Sequence, residues 1–286
     1  MLKNIIIVIL LFQFFCVLVN AEDSRILATG GATQIEGSAG GGIVPWAVIA
    51  GYAQEGEWGA TAFTTFIKTD DFSLSSYGLA IGFENRFEFS IARQSFNLGP
   101  LQSQLGLPSN KLEQNIFGFK AKLYGDLIYD SLPQISFGIQ HKELDDFAIP
   151  SIVGATDDEG DDFYLTASKL WLQGLQGYPI LTTVTLRSTT ANQIGLLGYG
   201  GDINESREVV IELNTSLLIS RNWLLGYEYR QKPDNLGFAC EDDWQDIYLA
   251  WFYDKSVSAV FAYVDLGSVA SLEKQQGFYL SLQATF

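Results

Sequence analysis

Apolar side chains alternate with small or polar ones at nearly regular intervals along this chain, and this pattern limits the fold more than any other feature. Tyr77, Leu79, Ile81 and Phe83 face one way, with Gly78, Ala80 and Gly82 on the other side. Phe117, Phe119, Ala121 and Leu123 alternate with Gly118, Lys120, Lys122 and Tyr124. Val209, Ile211, Leu213, Thr215 and Leu217 alternate with Glu208, Val210, Glu212, Asn214 and Ser216. A β-strand throws successive side chains to opposite faces, so each run is a strand with one greasy face. The last run sets Phe278, Leu280, Leu282, Ala284 and Phe286 against Gly277, Tyr279, Ser281, Gln283 and Thr285. Further strands are expected at 43–53, 59–67, 87–92, 134–140, 162–172, 179–189, 223–230, 245–253 and 257–266. Runs of about 9 to 13 residues are the length a tilted strand needs to cross a hydrocarbon layer.

The links between the runs alternate as well. Short ones fall near Asn85, at 126–131, at 173–177, near Arg221 and at 254–256; long ones span 97–112, 143–161, 190–206, 233–243 and 267–275. Outer-membrane barrels have short turns on the periplasmic side and long loops outside, whereas a soluble sandwich gives no reason for the bias. The expected fold is all-β, an antiparallel transmembrane β-barrel. Thirteen candidate strands are an awkward count, because bacterial barrels generally have an even number. Either 33–39 adds one and there are 14, or 43–53 is not a full strand and there are 12. The glycine-rich stretch 30–42 reads equally as a flexible lead-in, a tight turn or a segment folded into the lumen.

The amino-terminal end suits export. Lys3 is followed by an apolar run from Ile5 to Val19 that ends in Val19-Asn20-Ala21, with Glu22 and Asp23 after it. Small residues at the last and third-last positions mark a cleavable signal at 1–21 rather than a membrane helix. Phe15 before Cys16 argues against a lipid anchor. The expected organisation is a signal at 1–21, a lead-in or lumen segment at 22–42 and a barrel at 43–286. Beyond the signal, Cys240 stands alone, so no internal disulfide can form. A formal charge of −16 disfavours nucleic acid and other anionic polymers as partners.

The closing run, with its terminal Phe286, resembles the last strand of outer-membrane barrels, which in those proteins helps the barrel assembly machinery recognise its client. Two glycine-rich stretches carry a second resemblance: Gly30-Gly31-Ala32-Thr33-Gln34-Ile35-Glu36-Gly37, then Gly40-Gly41-Gly42-Ile43-Val44-Pro45-Trp46-Ala47. With Arg93-Gln94-Ser95-Phe96 and Leu132-Pro133-Gln134-Ile135, they are similar to a proteobacterial barrel family known only as a domain of unknown function. That resemblance implies a fold and a bacterial outer-membrane location, with lipid and lipopolysaccharide as surroundings, and no particular reaction. More loosely, the chain looks like porin-type and hydrophobic-substrate transport barrels.

If the apolar parity faces lipid, the opposite parity lines the lumen. This places Glu88, Lys120, Lys122, Asp126, Arg187, Glu208, Glu212, Glu228, Arg230 and Lys232 inside. Facing charges of both signs suit either the constriction of a water-filled channel or a lumen filled by salt-bridged side chains. The acidic run Asp145, Asp146, Asp157, Asp158, Glu159, Asp161 and Asp162 lacks the one-three-five spacing of a calcium loop and reads as a solvated charge run. An enzyme of the Ser-His-acid kind would have to use His141, the single histidine, whose parity points it outward. No catalytic residue, metal site or cofactor is expected. Trp46, Trp58, Trp171, Trp223, Tyr229, Trp244, Tyr253 and Tyr263 are expected to form interfacial girdles. The expected function is a passive channel or transporter for small solutes, with a closed structural or surface-interaction barrel as the alternative.

Overall fold

The structure is a computed structural model describing Leu27 and residues 29–286; the expected signal at 1–21 lies outside the described residues. Two short strands, β1 (Ala32–Thr33) and β2 (Ala39–Gly40), pair only with each other. The others form one closed barrel: β3 (Trp58–Thr69), β4 (Ser73–Phe83), β5 (Phe87–Asn97), β6 (Lys111–Tyr124), β7 (Gln134–Leu144), β8 (Glu159–Leu175), β9 (Tyr178–Thr189), β10 (Glu208–Leu218), β11 (Trp223–Arg230), β12 (Trp244–Phe252), β13 (Val257–Asp265) and β14 (Gln276–Thr285). Neighbours in the chain are antiparallel neighbours in the wall, and β14 closes the cylinder on β3. The number of barrel strands is therefore 12, and the wall begins at Trp58, because 43–53 forms no barrel strand.

The closing seam runs in register from Gly277 opposite Thr69 to Thr285 opposite Thr61. It ends with a backbone exchange in which the Phe286 N–H donates to the Ala60 carbonyl and the Ala60 N–H to that of Phe286. Closure leaves no unpaired sheet edge, which a hydrocarbon environment would penalise.

Alternation along the strands sorts the faces. Phe66, Phe89, Phe117, Phe261 and Leu280 are about half exposed on the outside, and their sequence neighbours point inward and are largely buried. An apolar belt continuing round the whole wall is the lipid-facing band of this barrel type. Trp58, Trp171, Trp223, Tyr253 and Tyr263 stand on the outer surface. Trp46 and Trp244 are instead 1% and 3% exposed, inside the molecule, and so leave the expected girdle. Trp46 sits in a segment that is not a wall strand, so the parity rule does not apply to it.

Turns 84–86, 125–133, 176–177, 219–222 and 253–256 lie at one end of the cylinder, with the start of β3 and the end of β14. The longer connections 98–110, 145–158, 190–207, 231–243 and 266–275 lie at the other, joined by the tight link 70–72. These are called the turn end and the loop end below. Because β8 starts at Glu159, three residues before the expected strand 162–172, Glu159 and Asp161 of the acidic run belong to a wall strand, as Asp162 does.

A plugged lumen as the candidate functional site

Residues 29–50 are threaded up the inside of the cylinder and back down, and those from Ile35 to Ile49 are almost wholly shielded from solvent. The chain rises through β1, turns at Gln34–Ser38, returns through β2 and leaves the lumen near Gly51, against Gly59 and Ala60 of the wall. At the tip the Gly37 N–H donates to the Gln34 carbonyl with a φ of 99°, a backbone region open to glycine at little cost. Of the three readings of the glycine-rich stretch, the lumen segment is the one that forms. Its composition fits: glycine lets backbone approach the wall, so main-chain N–H and C=O groups can be met by wall side chains.

The wall meets the plug at several levels. Toward the turn end, Glu88 accepts hydrogen bonds from the N–H groups of Ala39 (3.1 Å) and Ala50 (2.7 Å). Lys120, paired to Glu88 at 3.2 Å, donates to the carbonyls of Ala39 and Trp46. Gln134 and Ser136 both donate to the Ala47 carbonyl, while Thr166 and Thr185 donate to that of Pro45. On the opposite wall Glu228 receives the N–H groups of Gly42 (2.8 Å) and Ile43 (2.7 Å). Nearer the loop end, Ser76 and Gln94 donate to the carbonyl of Ile35.

The centre of the arrangement is Glu36, wholly buried at the plug tip. It pairs with Lys142, with Arg230 at 2.7 Å and with Arg187 at 3.5 Å. Behind these cations stand two wall carboxylates: Asp162, 2.7 Å from Lys142 and 3.2 Å from Arg187, and Glu212, paired with Arg187 and 3.3 Å from Arg230. Three cations thus face three carboxylates, which is the condition for burying charge without a large penalty. Burial alone would raise the Glu36 carboxyl, but Arg230, Lys142 and Arg187 outweigh it and hold it well below its ordinary value of 4.5.

A cap packs over the plug tip at the loop end. Residues 192–197 of the loop between β9 and β10 fold inward, with Gln193 and Ile194 at φ 46° and 60°. A branched residue rarely adopts that conformation, so the surrounding contacts must hold it there. The Ile194 carbonyl accepts from Lys142 and Gln114. The Gln193 N–H donates to Glu241, which pairs with Lys232 at 3.2 Å, and Lys232 donates to the Gln193 side chain. Lys142 therefore ties plug, wall and cap together.

Of the lumen residues inferred from parity, Glu88, Lys120, Arg187, Glu212, Glu228 and Arg230 line the plugged interior, and Lys232 is buried beneath the cap. Lys122 and Glu208 have lumen parity but sit at the rims, where Glu208 accepts from Asn204. Asp126 lies in the turn after β6 rather than on a wall strand and accepts the Ile128 and Tyr129 N–H groups, both at 2.8 Å. Sequence reasoning missed Glu36, Lys142, Asp162 and Asp246. The parity of Lys142 with Ser136 and Gln140 was the available signal for that residue. Asp246 lies directly across from Glu228 in the wall and is 2% exposed. His141 is on the outer face, 2.9 Å from Asp161.

A Cβ built on Gly41 would stand 1.9 Å from the Glu228 carboxylate. Gly41→Ala is expected to push Glu228 off the plug and weaken seating by about 1–3 kcal/mol. Faster hydrogen exchange at the Gly42 and Ile43 amides would register it; unchanged exchange would mean Glu228 does not latch the plug.

The model of a family described as a protein of unknown function, DUF3034, matches residues 29–283. The chain belongs to this family. The match begins with the plug, so the family's defining region covers plug and barrel together. No curated protein matches the sequence. Among solved structures, the KdgM porin superposes with a TM-score of 0.51 at 11% identity, covering 79% of this chain and 99% of that one. The KdgM porin in complex with disordered oligogalacturonate gives 0.50 at 10% identity, with the same coverage. The NanC porin gives 0.47 at 8% identity, covering 79% and 98%. At such identities the likeness to the KdgM porin is one of fold.

Proposed function

We propose that this protein is a gated passage for small solutes across the bacterial outer membrane, shut in the described state by residues 29–50. The observation that carries the reading is that, among the described residues, the plug shares no sheet with the wall: β1 and β2 pair only with each other. The wall behind it is polar, with charges of both signs facing one another, which is the lining of an aqueous path once the plug has moved. Wall side chains can fill an eight-stranded barrel, and a barrel of 12 strands is wider, with room for the added segment. The balance of the six central charges favours a second reading, a permanently closed structural barrel. We assign no catalytic step to the outward-facing His141.

Acid distinguishes the two. A carboxylate whose value is lowered in the closed form stabilises that form fully above its ordinary value, and the stabilisation is lost as pH falls through the lowered value. Closure through Glu36 is therefore complete at neutral pH, begins to weaken near pH 4.5, and fails only in stronger acid. Residues 22–286, refolded in a planar bilayer, are expected to be silent at neutral pH and to show discrete, reversible openings well below pH 4.5. An inserted, folded barrel that stays silent over the whole range would overturn the passage and leave the structural reading.

A further inference from the structure

Between cap and wall at the loop end lies a cavity whose lining reverses the polarity of the rest of the lumen. Ile67, Leu74 and Phe96 project into it from β3, β4 and β5, Leu196 and Leu197 come down from the cap, and Trp244 closes it from β12. The enclosed cavity is about 20 Å³, room for roughly one water molecule, and it opens to solvent on one side. A larger guest needs lining side chains to give way, and Leu196 and Leu197, carried on the cap rather than on a wall strand, are the ones outside the sheet. Thr69, Ser73 and Gln193 also line the cavity, and the first and last of these are already engaged. Thr69 donates to Gln275, and Gln193 bonds to Lys232 and to the Ser268 carbonyl. The indole N–H of Trp244 is different: the residue is 3% exposed and this donor has no acceptor among the described residues. A buried donor without a partner is unusual in a folded protein and marks a place where an acceptor would be gained.

We propose that this cavity is a binding site for small uncharged apolar molecules carrying one acceptor oxygen, such as an alcohol or ketone, with the oxygen on the Trp244 N–H and the apolar body against Ile67, Leu74, Phe96 and Leu196. An anionic head is disfavoured, because Lys232, 5.0 Å from the Trp244 ring, already has Glu241 as its counter-charge. The site names the solute class for the proposed passage and rests on that reading only for onward transport. Binding itself is read with the plug seated.

The test is titration of the intact chain in lipid nanodiscs with hexan-1-ol, following the six tryptophan indole ¹⁵N–¹H resonances; Trp244→Phe identifies the one that matters. Saturable movement of the Trp244 resonance alone is expected, with nuclear Overhauser contacts from the alkyl chain to the Leu74 and Leu196 methyls. Apparent affinity is expected to rise about fourfold per added methylene from butanol to hexanol. Val269→Phe, which fills the cavity from its rim, is expected to abolish saturation; the Overhauser contacts decide the matter on the intact chain should that variant fail to fold. Movement of all indoles in parallel without saturation, or alkyl contacts only to outer residues such as Leu280, would overturn the proposal as lipid partitioning. A null result here leaves opening by acid untouched, and a barrel that stays shut in acid leaves the binding result standing.

Discussion

A chain lacking residues 31–50 is expected to conduct continuously where the intact chain is shut. The wall owes none of its sheet to the plug, since the 12 strands pair in sequence and close at the β14–β3 seam. Deletion therefore spares the barrel's backbone hydrogen bonds. The plug removes its apolar side chains, including Ile35, Ile43, Val44 and Trp46, together with the backbone groups that Glu88, Glu228 and Lys120 satisfy. Water then replaces the plug, and the wall charges exchange protein partners for solvent, which they accept at little cost. The remaining lining carries Glu88, Asp162, Glu212, Glu228 and Asp246 against Lys120, Lys142, Arg187 and Arg230, a slight negative excess. Open channels with weak cation preference are the expected recording, and Glu212→Gln should reduce that preference. A deletion variant that keeps its strand content and inserts, yet carries no current, would mean that something other than the plug seals the lumen.

The wall was legible because a strand in such a barrel obeys one rule along its whole length: outward residues meet lipid and inward ones do not. Phe278 to Phe286 could be assigned to the closing strand from alternation alone. The plug obeys no period, since backbone groups and glycines make most of its contacts, and nothing in 30–42 distinguishes a lumen segment from a loose leader. Glu36 was invisible for a further reason. Its partners Lys142 and Arg230 lie 106 and 194 residues away, so no local spacing announces them. Asp162 opens the expected strand 162–172, yet its charge also groups it with its acidic neighbours, and that grouping hides its inward parity. Trp46 and Trp244 were assigned by residue type to the membrane interface, and the structure buries both behind the wall.

Replacing Glu36 with Gln keeps the plug's shape and removes the one carboxylate on which Lys142, Arg230 and Arg187 converge. Asp162 and Glu212 stay, so three buried cations are left facing two carboxylates, with one charge uncompensated in a dry site. Breaking a buried ion cluster by removing one member costs about 3–5 kcal/mol. At about 1.4 kcal/mol per tenfold, the seated-to-released equilibrium shifts by roughly a hundredfold to several thousandfold. Water relieves the stranded charge only when the plug leaves, so the cost appears as opening rather than as loss of the barrel. A cysteine at Ser38, which is 1% exposed in the plug, reports this once the exposed native Cys240 has been changed to Ser. Labelling by a charged maleimide is expected to be slow in Ser38→Cys and at least about a hundredfold faster when Glu36→Gln is added. The double change Glu36→Gln with Arg230→Gln restores the balance of charge and is expected to recover much of the protection. Equal labelling rates in all three would show that the plug is held by its backbone contacts to Glu88, Glu228 and Lys120, with the charge cluster contributing nothing to closure.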